Sequence, residues 1–166
     1  MKLFGAKKCP TRDFLARVLK AEYGISPLPE LARTELGKPY FPALPQIQFS
    51  ISHSKTLILC ALSDLPVGVD IEDIRPRRDS LPAYALTEPE FARYQSLGGD
   101  WSAFYVLWTR KEAWCKYTGQ GLRPLWGQAP SEDLHYGEYA GEGWQAAVCG
   151  EEAPPTENTW LEGGPL

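Results

Sequence analysis

WTRKEAWCKYTGQGL, residues Trp108–Leu122, reads as the second half of an α-helix that stops at a glycine. A helix brings positions i, i+3 and i+4 onto one face. Trp108, Lys111, Glu112 and Lys116 are thereby placed together: a large ring, a carboxylate and two amines. Gly119 stands where a helix C-terminal glycine belongs, and Gly121 allows a close approach just beyond it. Taken alone, the segment admits two readings. It is either a solvated amphipathic face with an ordinary Glu–Lys pair, or one wall of a charged site.

The flanking sequence sets the fold class. Asp100 is placed as the cap of this helix, which runs through Tyr117, and Glu88 to Leu97 carries a second helical pattern. Upstream, Ile47–Ser52, Thr56–Ser63 and Val67–Glu72 have strand character, with a turn at Asp64-Leu65-Pro66, and together suggest an antiparallel meander. Met1–Gly5 reads as an edge strand. Thr11 is placed as the N-cap of a helix with Phe14, Leu15, Val18 and Leu19 on one stripe and Gly24 at its end. The stretch from Gly24 to Gln46, broken by Pro27, Pro29, Pro39, Pro42 and Pro45, reads as irregular, with Lys38 exposed on a turn. Downstream, two strands near Leu134–Tyr139 and Trp144–Cys149 flank a hairpin signal at Gly141-Glu142-Gly143. Glu151–Leu166 reads as a loose tail. Strands, then helices, then strands make an α+β fold, not an alternating parallel one.

The strand Val67-Gly68-Val69-Asp70-Ile71-Glu72 carries the second set of polar groups. Residues i and i+2 of a strand share a face, so Asp70 and Glu72 present adjacent carboxylates while Val69 and Ile71 face the core. Two such carboxylates repel. A hard divalent cation such as Mg²⁺ relieves that repulsion, and so does pairing with Arg75, Arg77 or Arg78; both readings stand. Glu112 offers a third carboxylate, and Lys111 and Lys116 offer point charges for phosphate oxygens. Metal and lysines together point to transfer at phosphorus, which is largely positioning and charge stabilisation. No GxxxxGK[ST] is present, which excludes a P-loop enzyme. His53, between Ser52 and Ser54 at a strand end, is either an anion-binding group or a turn histidine bonded to backbone. A Ser–His hydrolase is disfavoured, because adjacent strand residues face opposite ways and no G-x-S-x-G elbow exists. His135 has no chemical neighbours and is assigned no role.

The 166 residues, 43% hydrophobic and 23% charged, suit one domain or two small halves sharing a core. A net charge of −4 gives no general affinity for nucleic acid. Cys9, Cys60, Cys115 and Cys149 are widely spaced without a CxxC, which argues against zinc and a disulfide scaffold and for a reduced, cytoplasmic setting. There is no apolar leader and no stretch of membrane-spanning length, so no membrane association is expected.

Four segments in order resemble the surfactin-type 4′-phosphopantetheinyl transferases of the holo-carrier-protein synthase superfamily. They are Gly37-Lys38-Pro39-Tyr40-Phe41-Pro42, Phe49-Ser50-Ile51-Ser52-His53-Ser54, Gly68-Val69-Asp70-Ile71-Glu72, and Trp108 to Lys116 with Gly119-Gln120-Gly121-Leu122. The resemblance spans roughly Arg12 to Cys149. It implies two similar α+β halves with the active site in the cleft between them. The first half is expected over residues 1–72 and the second over 73–150, with the catalytic helix at 100–118 and the tail at 151–166. It implies transfer of the phosphopantetheine arm of coenzyme A to a serine of an apo acyl, peptidyl or aryl carrier protein, which is holo-[acyl-carrier-protein] synthase activity. The by-product is adenosine 3′,5′-bisphosphate. By the same resemblance Asp70, Glu72 and Glu112 hold Mg²⁺, or Mn²⁺, on the pyrophosphate. Glu112 accepts the serine proton directly or through water. Lys116 stabilises or protonates the leaving bisphosphate. Arg12, Lys38, Ser52, His53 and Lys111 are placed on coenzyme A.

Only eleven residues precede Arg12, fewer than in relatives, so the first half is expected to be trimmed at the side that clamps the 3′-phosphate, with Lys7 and Lys8 as substitutes. That feature motivates a second hypothesis, a non-catalytic coenzyme A or carrier-protein binding module of the same fold. A third, an Mg²⁺-dependent phosphodiesterase, is disfavoured by the negative charge and the lack of a His-rich cluster. An acidic carrier is the expected partner, with Arg75, Arg77 and Arg78 as a docking surface, and the two-half architecture allows a monomer.

Overall fold

The computed structural model describes residues 1–121 and 127–161. Leu122 of the quoted motif and tail residues 162–166 lie outside the described residues. The fold is α+β, built as four layers. The first layer is α1 (Thr11–Tyr23). It lies on a sheet of β1 (Lys2–Lys7), β4 (Gln48–His53), β5 (Leu57–Ser63) and β9 (Thr159–Trp160), in the order β4-β5-β1-β9. The third layer is a sheet of β6 (Val67–Asp73), β7 (His135–Gly141) and β8 (Trp144–Gly150), in the order β6-β8-β7. The long helix α4 (Trp101–Thr118) covers it, joined along its N-terminal half by α2 (Leu81–Ala85) and α3 (Glu88–Ser96).

Alternation along the strands explains the layering. In β5, Ile58, Cys60 and Leu62 face the core under α1, where Phe14, Leu15, Val18 and Leu19 form the expected stripe. Leu57, Leu59 and Ala61 point the other way and pack on Val67, Val69 and Ile71 of β6 and Ala146 and Val148 of β8. The two sheets therefore share a central core, and a third core joins Ala147 and Cys149 to Ala113, Trp114 and Cys115 of α4.

The expected meander stops after β4 and β5. β6 leaves that sheet and pairs antiparallel with β8, Val69 opposite Val148 and Asp70 opposite Ala147. The turn at Asp64-Leu65-Pro66 crosses between sheets, because β5 is apolar on both faces and needs a covering layer more than another neighbour. β1 lies inside its sheet, not at the edge, since β9 adds to it in parallel. The segment after Glu151, read as loose, packs back across the sheet. Ser63 Oγ donates to Glu152 Oε2 at 2.8 Å, and Trp160 lies over Gly5, where a Cβ would fall 2.4 Å from its ring. Its indole meets Trp144 edge to face, ring centroids 6.0 Å apart. The proline-rich stretch contains one short antiparallel pair, β2 (Ala32–Arg33) with β3 (Pro39–Tyr40).

Both ends of α4 behave as its sequence indicates. Asp100 Oδ1 accepts from the Ala103 amide at 2.8 Å, and Gly119 closes the helix at φ 71°. Thr11, by contrast, is the first helical residue of α1 and makes no side-chain cap; Pro10 precedes it. All four cysteines are free thiols. Among the described residues no helix is long and apolar enough to cross a membrane.

The contact that positions the rest is at Gly68. A Cβ there would lie 1.9 Å from the Ala113 carbonyl oxygen and 2.5 Å from the Tyr117 amide, so α4 rests directly on the β6 backbone. Gly68→Ala must push helix and strand apart. Overpacking of this kind costs on the order of 1–3 kcal/mol, and a fall in melting temperature of roughly 5–10 °C by circular dichroism is expected.

Candidate active site

Gly68, Asp70 and Glu72 share the face of β6 that lies under α4. With Gly68 seated between Ala113 and Tyr117, the helix places Lys116 over Asp70. Lys116 Nζ donates to Asp70 Oδ1 at 2.7 Å and to Ser52 Oγ at 2.7 Å, and Ser52 Oγ donates to the same Asp70 oxygen at 2.8 Å. Asp70 is 4% exposed, and its other oxygen, Oδ2, is buried without a hydrogen-bond partner. Ser50, also buried, accepts from the Val69 amide at 3.1 Å and holds β4 alongside β6.

Glu112 is half-buried beside this network. Burial first, then the charge of Asp70, push its carboxyl up to about 7, against the opposing pull of Lys116. Glu72 is raised by burial and by Asp70, while Arg77, Lys116 and Arg75 pull it down. The three acids expected to act together thus sense one another. They offer oxygen donors of the type a hard cation takes, one of them already desolvated and unpartnered. Among the described residues no three His, Cys, Asp or Glu side chains close into a ready-made metal cage.

A cleft of about 430 Å³ opens above these groups, lined by Glu112, Lys116, Gly119, Lys38, Arg33 and His53. His53 is exposed on the rim at the end of β4. Ser52 lies beneath, bonded to Asp70 and Lys116. Lys38 donates to the Tyr117 carbonyl at 2.9 Å and the Val67 carbonyl at 3.4 Å, and burial lowers its pKa. Arg12 is exposed in the first turn of α1, next to Thr11, which lines the cleft.

Lys111 does not join them. It is fully buried, and its ammonium donates to Glu90 Oε2 at 2.8 Å and the Ala85 carbonyl at 3.2 Å, pinning α2 and α3 to α4. The expected common face of Trp108, Lys111, Glu112 and Lys116 is split. Glu112 and Lys116 line the cleft, while Trp108 stacks on Phe104 in the α2–α3–α4 core. Two residues were missed by sequence reasoning. Glu90 is at once the capping-box acid of α3, with Thr87, and the partner of Lys111, and its signal is the Thr-x-x-Glu spacing. Arg33 lines the cleft because β2 and β3 pair around Gly37, and a hairpin reading of that turn puts it across from Pro39.

With this geometry in view, comparison with known sequences is direct. The sequence model of the 4′-phosphopantetheinyl transferase superfamily matches residues 66–156, and the chain belongs to that superfamily. It is 38% identical over 114 residues to a 4′-phosphopantetheinyl transferase of Bacillus subtilis, covering 66% of this chain and 51% of the relative. It is 36% identical over 90 residues to the 4′-phosphopantetheinyl transferase Sfp of Bacillus subtilis (strain 168), covering 53% and 40%. It is 42% identical over 117 residues to the 4′-phosphopantetheinyl transferase AcpT of Salmonella typhimurium, covering 64% and 58%. The chain spans about half the length of these relatives. Asp70, Glu72, Glu112 and Lys116 fall inside the matched region, and Arg12, Lys38, Ser52 and His53 precede it.

Two outcomes follow from these placements. Lys111→Met strands a buried carboxylate and is expected to lower stability by about 3–5 kcal/mol in chemical denaturation; adding Glu90→Gln recovers part of the loss. The second concerns pH. The folded pKa of Glu112, about 7, exceeds the ordinary value near 4.3, so folding favours its protonated form. Its contribution is full below about pH 4 and is lost as pH rises through about 7. With chelator present, melting temperature is expected to decline across that window, and Glu112→Gln to remove part of the decline.

Proposed function

We propose that this protein transfers the 4′-phosphopantetheine arm of coenzyme A to a serine of an apo carrier protein, as a holo-[acyl-carrier-protein] synthase. The observation that carries the reading is that Glu112 and Lys116 line one open cleft and Lys116 is bonded to the buried Asp70, in the segment the superfamily model matches. The names of the matched relatives support the same activity.

Chemically, the carrier serine Oγ bonds to the phosphorus that bears pantetheine, and the pyrophosphate P–O bond breaks. Glu112 takes the serine proton, directly or through water; a carboxyl held near 7 is matched to that task at neutral pH. The electron pair leaves with adenosine 3′,5′-bisphosphate. Lys116, fixed by Asp70 and Ser52 beside Glu112, faces the charge that grows there. Asp70, Glu72 and Glu112 would hold Mg²⁺ or Mn²⁺, whose chemistry is neutralisation of the pyrophosphate oxygens. His53 on the rim, and the exposed Arg12 next to Thr11, suit the nucleotide end. Lys38 and Ser52 support the cleft from below. An acidic acyl, peptidyl or aryl carrier fits the exposed Arg77 and Arg78 beside Glu72. Fatty-acid, polyketide and nonribosomal peptide pathways all use such carriers, in the cytoplasm. A single chain supplies both walls, which suits a monomer. The non-catalytic module gains no support from relatives that are named transferases.

The test is incubation with coenzyme A, Mg²⁺ and a panel of apo carrier proteins, read as intact carrier mass. A phosphopantetheine-sized gain that a chelator abolishes is expected. Glu112→Gln should retain coenzyme A binding and lose transfer by about 100-fold or more. Undiminished transfer in that variant would overturn the assignment of Glu112.

A further inference from the structure

A second cavity, of about 610 Å³, is lined by Lys7, Lys8, Lys55, Thr56, Glu142 and Trp144. It shares no lining residue with the cleft. The β4–β5 turn separates the two: His53 lines the cleft, while Lys55 and Thr56 line the cavity. Lys7 and Lys8, expected from the sequence at the donor's 3′-phosphate, belong to the cavity and line no part of the cleft.

The walls of the cavity are fastened to one another. Lys7 ends β1 opposite Leu57 of β5, and the Lys8 amide donates to the Thr56 carbonyl at 2.7 Å. The Lys55 amide and the Thr56 hydroxyl both donate to Asp73 at the end of β6, at 2.9 and 3.3 Å. The next residue, Ile74, donates its amide to the Gly143 carbonyl in the β7–β8 turn at 2.8 Å. The end of β6 therefore holds both turns that line the cavity. Gly141 leaves room for Trp144 to lie against its own hairpin, since a Cβ there would fall 2.4 Å from the indole Nε1. Leu57 and Trp144, both buried, supply the apolar part of the lining.

Three ammoniums meet one carboxylate in this lining, that of Glu142. None of the three lysines forms an ion pair or a side-chain hydrogen bond among the described residues. Asp73 gives its oxygens to the Lys55 amide and the Thr56 hydroxyl. In a chain of net charge −4, such a gathering of unpaired cations is a local feature. Like charges held together repel, and a bound anion relieves them. Lysine meets phosphate as a compact point charge, and small-molecule sites occupy about 300–1,000 Å³. We propose that this cavity is a second anion site, separate from the transfer cleft. It takes a small molecule bearing two or more phosphate charges, either an oligophosphate or a phosphate ester whose organic part rests on Leu57 and Trp144.

The experiment is a titration of the isotopically labelled full chain, without metal, with inorganic pyrophosphate and with phenyl phosphate, read by amide and indole NMR signals. The signals of Lys8, Lys55, Thr56, Gly141 and the Trp144 indole are expected to shift together and saturate. Lys55→Gln should weaken binding by about tenfold, the scale of a hydrogen bond to a charged group. Lys7→Gln combined with Lys8→Gln should abolish saturation. Lys20→Gln, an exposed lysine of α1 outside the cavity, should leave affinity within about twofold. Pyrophosphate should also raise the melting temperature of the unmodified chain and not that of the cavity variants, whose three lysines are exposed and leave the core untouched. Tighter binding of phenyl phosphate assigns the ester, and tighter binding of pyrophosphate assigns the oligophosphate. Shifts confined to residues of the cleft, or unchanged affinity in the cavity variants, would overturn the proposal. So would displacement of pyrophosphate from these signals by coenzyme A, which would make the cavity part of donor binding.

Discussion

The contact between helix α4 and strand β6 at Gly68 fixes nearly everything else. A strand normally keeps a covering helix at the distance its side chains require. Here one position has no side chain, and the helix backbone drops onto the strand. Two residues further along the same face is Asp70, and the helix turn above it carries Lys116. The 2.7 Å contact between them follows from the backbone approach. Any residue larger than glycine would lift the helix and with it the ammonium, and the buried Asp70 would keep only the Ser52 hydroxyl as a partner.

That closeness explains how two acids of β6 and one of α4 coexist at the helix–strand contact. Asp70 is held by an ammonium and a hydroxyl. Glu72, at the strand end, lies within the influence of Arg75 and Arg77. Glu112 has the weakest compensation and carries the strain as a raised pKa. Lys111 and Lys116 sit on one helix five residues apart, a spacing that sends them to different sides. One ammonium is buried against Glu90 and secures the packing of α2 and α3, and the other stays partly open to the cleft. The same residue type therefore does structural work on one side of α4 and site chemistry on the other.

Much of this was legible in the sequence, because local rules governed it. The period-2 face of Asp70 and Glu72, the cap at Asp100, the stop at Gly119 and the stripe of α1 all hold in the fold. Legibility failed where tertiary pairing decided. β6 has ordinary strand character, and nothing local says that its partner is β8, more than seventy positions on. The residues after Glu151 have the composition of a loose tail, yet Trp160 finds the gap that Gly5 leaves and completes the sheet. Lys111 was placed by its helical spacing from Trp108 and by the family resemblance, whereas its environment is set by Glu90 on another helix. Arg33 was missed because the prolines around it masked a two-residue strand pair.

Lys38 shows how the two walls of the cleft depend on each other. Its ammonium lies at the C-terminal end of α4, where the Tyr117 carbonyl has no partner within the helix and the helix dipole favours positive charge. It reaches the Val67 carbonyl as well, at the start of β6. A residue of the β2–β3 turn thus ties down both elements that hold the acids. Burial lowers its pKa, which is the electrostatic consequence of placing an ammonium between packed backbones. A lysine used in this way spends two of its three donors on backbone carbonyls while its side chain still lines the cleft. Its neighbour across the turn, Arg33, lines the same cleft and donates to the Gly37 carbonyl, so the turn that braces α4 and β6 also shapes the opening above them.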